Sequence, residues 1–219
     1  MKRIALSLLL ALPLIFVGCD KENNTTGNGS NPSRNQQTSA VEFSFAKLNT
    51  WLGEDTTTII NELTTLGFTS GRPYGKNSTI SYTLIDQASL MMIECDLTAD
   101  ENGIVKSAQL SRFLSGQSTA SNIALMKQLV TEERTLLQDE MLVNSYGDIH
   151  ITDYDHPSFE SWDEFQTELE KYVNNNDLGF NWYDAYTIHS AYVMLQNSVY
   201  EDLVSTAQTI ALIANGSYQ

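Results

Sequence analysis

Apolar residues recur at helical spacing at Ile59, Ile60, Leu63 and Leu66, behind Asp55 and a run of threonines, and the stripe stops at Gly67. Asp55 reads as a helix N-cap, and Gly67 followed by Phe68 reads as a glycine C-cap closed by a hydrophobic contact. A shorter helix is expected just before it, over about 46–52, ended by Gly53. Strict alternation then takes over. Residues 79–85 place Ile80, Tyr82 and Leu84 on one face, and 90–97 and 104–114 give two further strands. Asp86-Gln87 joins the first two closely, and Asp100-Glu101-Asn102-Gly103 carries an Asn-Gly turn signal before the third, so an antiparallel meander is expected.

Helical spacing returns over 121–143, where Ile123, Met126, Val130, Leu137 and Met141 share a stripe and Glu132, Glu133, Arg134 and Asp139 lie elsewhere on the cylinder. Residues 148–154 alternate like a strand. Ser161-Trp162-Asp163-Glu164 matches a capping box and opens a helix expected to reach about 174. Residues 182–196 and 199–214 are rich in β-branched and aromatic side chains and read as a strand pair turning near Asn197-Ser198. Tyr200, Leu203, Ala207, Ile210 and Ala214 fit a helix as well; strands are the preferred reading. This order lacks regular βα alternation, which predicts an α+β fold, mainly antiparallel sheet with packed helices. Helical openings at Ala46 and Ser121, each feeding strands, divide the region into halves at 41–118 and 119–219. That division resembles the tandem arrangement of the β-lactamase-inhibitor-like fold and implies two similar α+β halves.

The first forty residues follow a different logic. Lys2 and Arg3 precede an apolar run from Ile4 to Val17, with Gly18 directly before Cys19. The run is shorter than the about 20 apolar residues a membrane-spanning helix needs, so residues 1–18 read as a cleaved signal peptide. Phe16-Val17-Gly18-Cys19 resembles the lipobox of bacterial lipoproteins, with Phe where Leu is commonest. The resemblance implies a diacylglyceryl group on Cys19 and cleavage in front of it. Asp20-Lys21-Glu22 is similar to the surface-export signal of Bacteroidetes lipoproteins, and an Asp after the cysteine also resembles the inner-membrane retention signal of enteric bacteria. The implied location is the cell envelope, lipid-anchored at the outer membrane and surface-exposed. Residues 23–40 hold almost nothing apolar and read as a flexible tether that sets the domain, 41–219, on the order of 25 Å from its anchor.

Removing residues 1–18 takes away two basic residues and no acidic one, moving the formal charge from −15 to −17. Such a chain repels nucleic acid and anionic headgroups, so no nucleic-acid partner is expected and the membrane link must come from the lipid. With Cys19 acylated only Cys95 remains, which excludes an internal disulfide. In its alternating run Cys95 shares a face with Met91, Ile93 and Leu97 and reads as a small buried hydrophobe.

Candidate chemistry is sparse. Asp148, His150 and His156 form the densest group of metal-ligand types, but an extended strand separates the two histidines by about 20 Å, and no metal or cofactor is expected. Residues 100–103 resemble part of a calcium loop, yet Thr98 and Gln109 stand where its ligands belong. Asp153, Asp155, Glu160 and Glu164 are candidate carboxylates for glycoside cleavage, the alternative reading. Nucleophile-elbow, phosphate-loop and zinc-peptidase motifs do not occur. More suggestive is the crowd of aromatics Trp162, Tyr172, Phe180, Trp182, Tyr183, Tyr186, Tyr192 and Tyr200. Of these, Trp162, Trp182, Tyr183, Tyr186 and Tyr192 are the candidate ligand-binding residues, since aromatic faces among carboxylates and amides suit sugar rings or a protein partner. The expected function is a non-enzymatic envelope lipoprotein that binds a glycan or another envelope protein.

Overall fold

Two capped helices open the domain. The Ser44 hydroxyl accepts from the Lys47 amide at the start of α1 (Phe45–Trp51), and the Asp55 carboxylate accepts from the Thr57 amide, 2.7 Å, at the start of α2 (Thr56–Thr65). Gly67 takes φ 93°, a left-handed conformation that costs glycine little, so that its own amide reaches Thr64 O and the Phe68 amide reaches Leu63 O at 2.9 Å. These two bonds satisfy carbonyls the helix end would leave open, and they turn Phe68 into the core. The structure, a computed structural model, describes residues 41–70, 79–86, 91–151, 157–200 and 203–215.

Among the described residues nine strands follow, all paired antiparallel in one sheet: β1 (Thr69–Ser70), β2 (Thr79–Asp86), β3 (Met91–Ala99), β4 (Val105–Ser115), β5 (Leu142–Ile151), β6 (Ser158–Phe159), β7 (Leu178–Tyr186), β8 (His189–Tyr200) and β9 (Leu203–Ala214). Their spatial order is β1-β2-β3-β4-β9-β8-β7-β5-β6. Two more helices, α3 (Thr119–Leu136) and α4 (Trp162–Leu169), the latter running into a 3-10 turn at Glu170–Tyr172, complete an α+β fold with mainly antiparallel sheet. Among the described residues no helix is long and apolar enough to cross a membrane.

Alternation assigns the sheet two different faces. One face presents Ile93, Cys95, Leu97, Leu110, Phe180, Trp182, Val193, Leu195, Ile210 and Leu212 to the helices and forms a single buried cluster with Phe45, Leu48, Trp51, Leu63, Met126 and Phe165. Burial, helped by the charges of Asp96 and Glu62, pushes the Cys95 thiol well above its ordinary range, so it stays protonated and inert. The core face also carries a polar chain. Asn122 Nδ2 donates to Asn197 Oδ1 at 2.6 Å, Asn197 Nδ2 to Thr119 Oγ1 at 2.7 Å, Thr206 Oγ1 to Asn197 Oδ1 at 2.8 Å and Gln208 Nε2 to Asn122 Oδ1 at 3.0 Å. Each member is buried and each is satisfied, which pins α3 to one position on β8 and β9.

Three expectations are corrected. The helix expected over 121–143 starts at Thr119 behind Ser118 and ends at Leu136; Met141 continues its apolar spacing only by coincidence and is 67 % exposed. A bulge in β5 between Leu142 and Asn144 lies there instead. Glu140, in the intervening turn, accepts the Ile188 and His189 amides at 3.0 and 3.1 Å. The C-terminal region holds three strands, with Asn197 mid-strand and not in a turn, because its amide is required in the buried chain just described. The helix begun by the Ser161 cap yields its regular turns at Leu169, five residues short of the expected end.

Candidate functional site

The second face of the sheet carries no packed helix among the described residues, and register fixes what stands on it. One row crosses all nine strands: Ser158, Asp148, Asn181, Met194, Thr209, Ser111, Glu94, Thr83 and Thr69. Beside it runs Tyr146, Tyr183, Tyr192, Ala211, Gln109, Asp96 and Ser81, and on the other side His150, Gly179, Gln196, Ala207, Phe113, Met92 and Ile85. Tyr146, Tyr183 and Tyr192 thus stand on three adjacent strands, an aromatic strip on the order of 10 Å wide at ordinary strand spacing. No lysine or arginine occupies any position in these rows, whereas Asp148, Glu94 and Asp96 do.

Gly179 is the gap in this surface. Flanked in its row by His150 and Gln196, it supplies no side chain, and a depression of about 480 Å³ opens there, lined among others by His150, Asp177, Asn181, Met194 and Gln196. A methyl group at Gly179 would meet Gln196 Cγ at 3.5 Å and His150 Cβ at 3.6 Å, ordinary contacts, so backbone geometry does not dictate glycine at this point. Polar groups converge beside the gap. Asn181 Nδ2 donates to Asp148 Oδ1 at 2.7 Å and lies 3.0 Å from His150 Nε2, and His150 Nε2 lies 3.0 Å from Asp148 Oδ1. The Tyr192 hydroxyl donates to Asn181 Oδ1 at 3.0 Å, and the Tyr146 hydroxyl lies 3.5 Å from Asp148 Oδ2. Tyr183 donates to Ser190 Oγ at 3.0 Å. Partial burial, reinforced by the Asp148 charge, raises the hydroxyl pKa of both Tyr192 and Tyr146.

Such an arrangement sets hydrogen-bonding groups beside aromatic rings. Its donors and acceptors are amides, phenols, an imidazole and carboxylates held in fixed positions by one another, next to aromatic rings. Asp148 and His150 share a face as the alternation predicts; His156 lies outside the described residues, and among those residues no group of three potential ligands forms a metal site. Of the carboxylates considered for glycoside cleavage, Asp153 and Asp155 lie outside the described residues, and Glu160 and Glu164 are exposed. Asp100 is spent on its turn: its Oδ1 accepts the Ile104 and Asn102 amides at 3.0 and 2.9 Å, which holds the carboxyl below its usual range.

The five aromatic candidates divide between the faces. Tyr183 and Tyr192 stand on the open face. Trp182 and Tyr186 point into the core, and Trp162 packs edge-on against Trp182, ring centroids 4.9 Å apart, with Phe165 and the Arg134 guanidinium completing the group. Gly147 exists for this cluster, since a β-carbon there would lie 2.4 Å from Trp182 Cε3. Tyr146, Asn181, Gln196 and Gly179 escaped sequence reasoning. Strand parity was the available signal: once residues 178–186 are read as one strand, Trp182, Asp184 and Tyr186 must oppose Asn181 and Tyr183. Comparison with known protein families, with curated proteins and with solved structures yields no match.

Proposed function

We propose that the chain is a cell-envelope lipoprotein, anchored through a lipid on Cys19, whose open sheet face holds a glycan without cleaving it. The observation that carries the reading is the tyrosine strip of Tyr146, Tyr183 and Tyr192 lying one row from Asp148 and Asn181 and two rows from the depression at Gly179. Sugar rings present apolar CH faces for aromatic stacking and hydroxyls that both donate and accept, and amide and carboxylate groups meet both needs. A depression of about 480 Å³ is in the range of small-ligand sites and accommodates one or two sugar units with the rest of a chain lying over the strip. The sheet divides at the β4–β9 pair into strands from residues 69–115 and from 142–214, which favours two α+β halves joined edge to edge, with the site wholly in the second.

Binding of the full chain, in detergent micelles, to a panel of oligosaccharides tests the proposal. At least one ligand should bind, and Gly179→Leu, which fills the depression from a position where a β-carbon makes only ordinary contacts, should abolish binding while the chain keeps its fold by circular dichroism. Undiminished binding by Gly179→Leu, or capture only of envelope proteins through the same face, refutes it.

A further inference from the structure

We infer that the open face takes one class of glycan, a straight chain of β-linked pyranoses with equatorial hydroxyls, laid lengthwise along the seam between β7 and β8; the inference rests on the glycan reading of that face. The directions in which two tyrosines lie carry it. Tyr183 and Tyr192 stand directly opposite each other on β7 and β8. The Tyr183 hydroxyl donates to Ser190 Oγ and the Tyr192 hydroxyl to Asn181 Oδ1, both at 3.0 Å. Ser190 stands two residues before Tyr192 and Asn181 two before Tyr183, so each phenol crosses diagonally onto the other's strand. Diagonal neighbours lie about 7–8 Å apart, a span a tyrosine covers only by lying down along the sheet. Ser190 is covered accordingly: it belongs to the open face yet is 3 % exposed, its Oγ accepting from both Tyr183 and Asn215.

Two rings that cross one seam in opposite directions come to lie end to end along it, Tyr192 on the Asn181 side and Tyr183 on the Ser190 side. The same seam runs on past Asn181 and Met194 to the facing pair Gly179 and Gln196, where the depression opens. Depression, Tyr192 ring and Tyr183 ring therefore follow one another over residues 179–185, about 20 Å at ordinary strand rise and room for roughly four sugars of an extended chain. Tyr146, whose hydroxyl lies 3.5 Å from Asp148 Oδ2 on its own strand, borders this track on the β5 side. Both tyrosine protons on the track are donated within the sheet, so what the rings offer a ligand is their half-exposed faces. A pyranose with equatorial hydroxyls turns its C–H bonds outward on both faces and matches such a surface. Equatorial β-linkages keep successive rings in one flat ribbon. An axial α-linkage bends the chain, which then leaves the track after the first units.

The test measures affinity of the full chain in detergent for cello- and malto-oligosaccharides, from disaccharide to tetrasaccharide. The two series share composition and charge and differ only in the configuration of the linkage. Cellotetraose should bind at least about tenfold more tightly than maltotetraose, the worth of one aromatic stack, and affinity should rise with length in the cello series alone. Tyr183→Ala, at the far end of the track from the depression, should remove the gain between cellobiose and cellotetraose and leave cellobiose affinity unchanged, which also shows that the variant is folded. Equal or tighter binding of maltotetraose, cello affinity that does not grow with length, or a Tyr183→Ala variant that keeps the full gain overturns the inference while the glycan reading stands on the sugars that bind. Failure of every oligosaccharide in the wider panel to bind overturns both.

Discussion

The Tyr186 hydroxyl donates to Oε1 of Glu133 across 2.7 Å, tying β7 to α3 where both side chains are buried. Asp184, on the same face of β7, is also fully buried and holds Arg134 at 2.9 Å and the Ser145 hydroxyl at 2.5 Å. Two carboxyl groups so close cannot both stay ionised, and Glu133 is the one that keeps its proton: burial first, then the Asp184 charge, push its pKa up to about 9. Neutral Glu133 can donate from its second oxygen to Asp184 while accepting from Tyr186.

A pH dependence of stability follows. The folded chain holds on Glu133 a proton that the unfolded chain releases near pH 4.5, so this group's contribution is complete below that pH, declines as pH rises, and levels off above about 9. Glu133→Gln, which donates and accepts in the same places, should flatten the decline between those limits. Chemical denaturation at several pH values measures it; identical slopes for variant and parent would contradict the neutral assignment.

Gly147→Ala should destabilise the fold. Its methyl would fall 2.4 Å from Trp182 Cε3 and 3.0 Å from Phe165 Cδ2, inside a filled cluster, and such overpacking costs about 1–3 kcal/mol. Gly179→Ala, with contacts no shorter than 3.5 Å, should be nearly neutral by the same thermal unfolding measurement.

Asn197→Ala removes the acceptor of Asn122 and Thr206 and the donor to Thr119, leaving buried polar groups short of partners at about 1–3 kcal/mol each. The loss should appear in denaturant midpoint. Asn197 is among the residues lining the depression, but its side-chain amide is engaged with Asn122, Thr119 and Thr206 on the core face, so ligand affinity measured well below the midpoint should change little.

Cys19→Ser should shift the protein from the membrane fraction to the soluble fraction and abolish incorporation of labelled fatty acid. Continued membrane retention without label would point to an anchor other than the lipid.

Periodicity revealed much of the fold. The β2–β3–β4 meander, the caps at Asp55 and Ser161 and the Gly67 terminus lie where local pattern puts them, because each depends on neighbours in sequence. Helix α3 and the last three strands were misjudged at their ends because their limits are set from far away: Glu140 by the amides of Ile188 and His189, Asn197 by Asn122 and Thr119. The candidate site was legible only in part. Tyr183 and Tyr192 are visible as aromatics in a polar stretch, but Tyr146 joins them only through the β5–β7 register, and Gly179 becomes a gap only when His150 and Gln196 are known to flank it.

The central claim, that the open face and not the core-side aromatic cluster holds the ligand, is tested most directly by comparing affinities for one neutral oligosaccharide across two substitutions. Tyr192→Ala should weaken binding at least about tenfold, given the worth of an aromatic stack plus the lost tether on Asn181. Trp162→Ala, on the opposite face, should leave affinity unchanged even if it lowers the melting temperature. Loss of binding with Trp162→Ala and full binding with Tyr192→Ala would contradict the account.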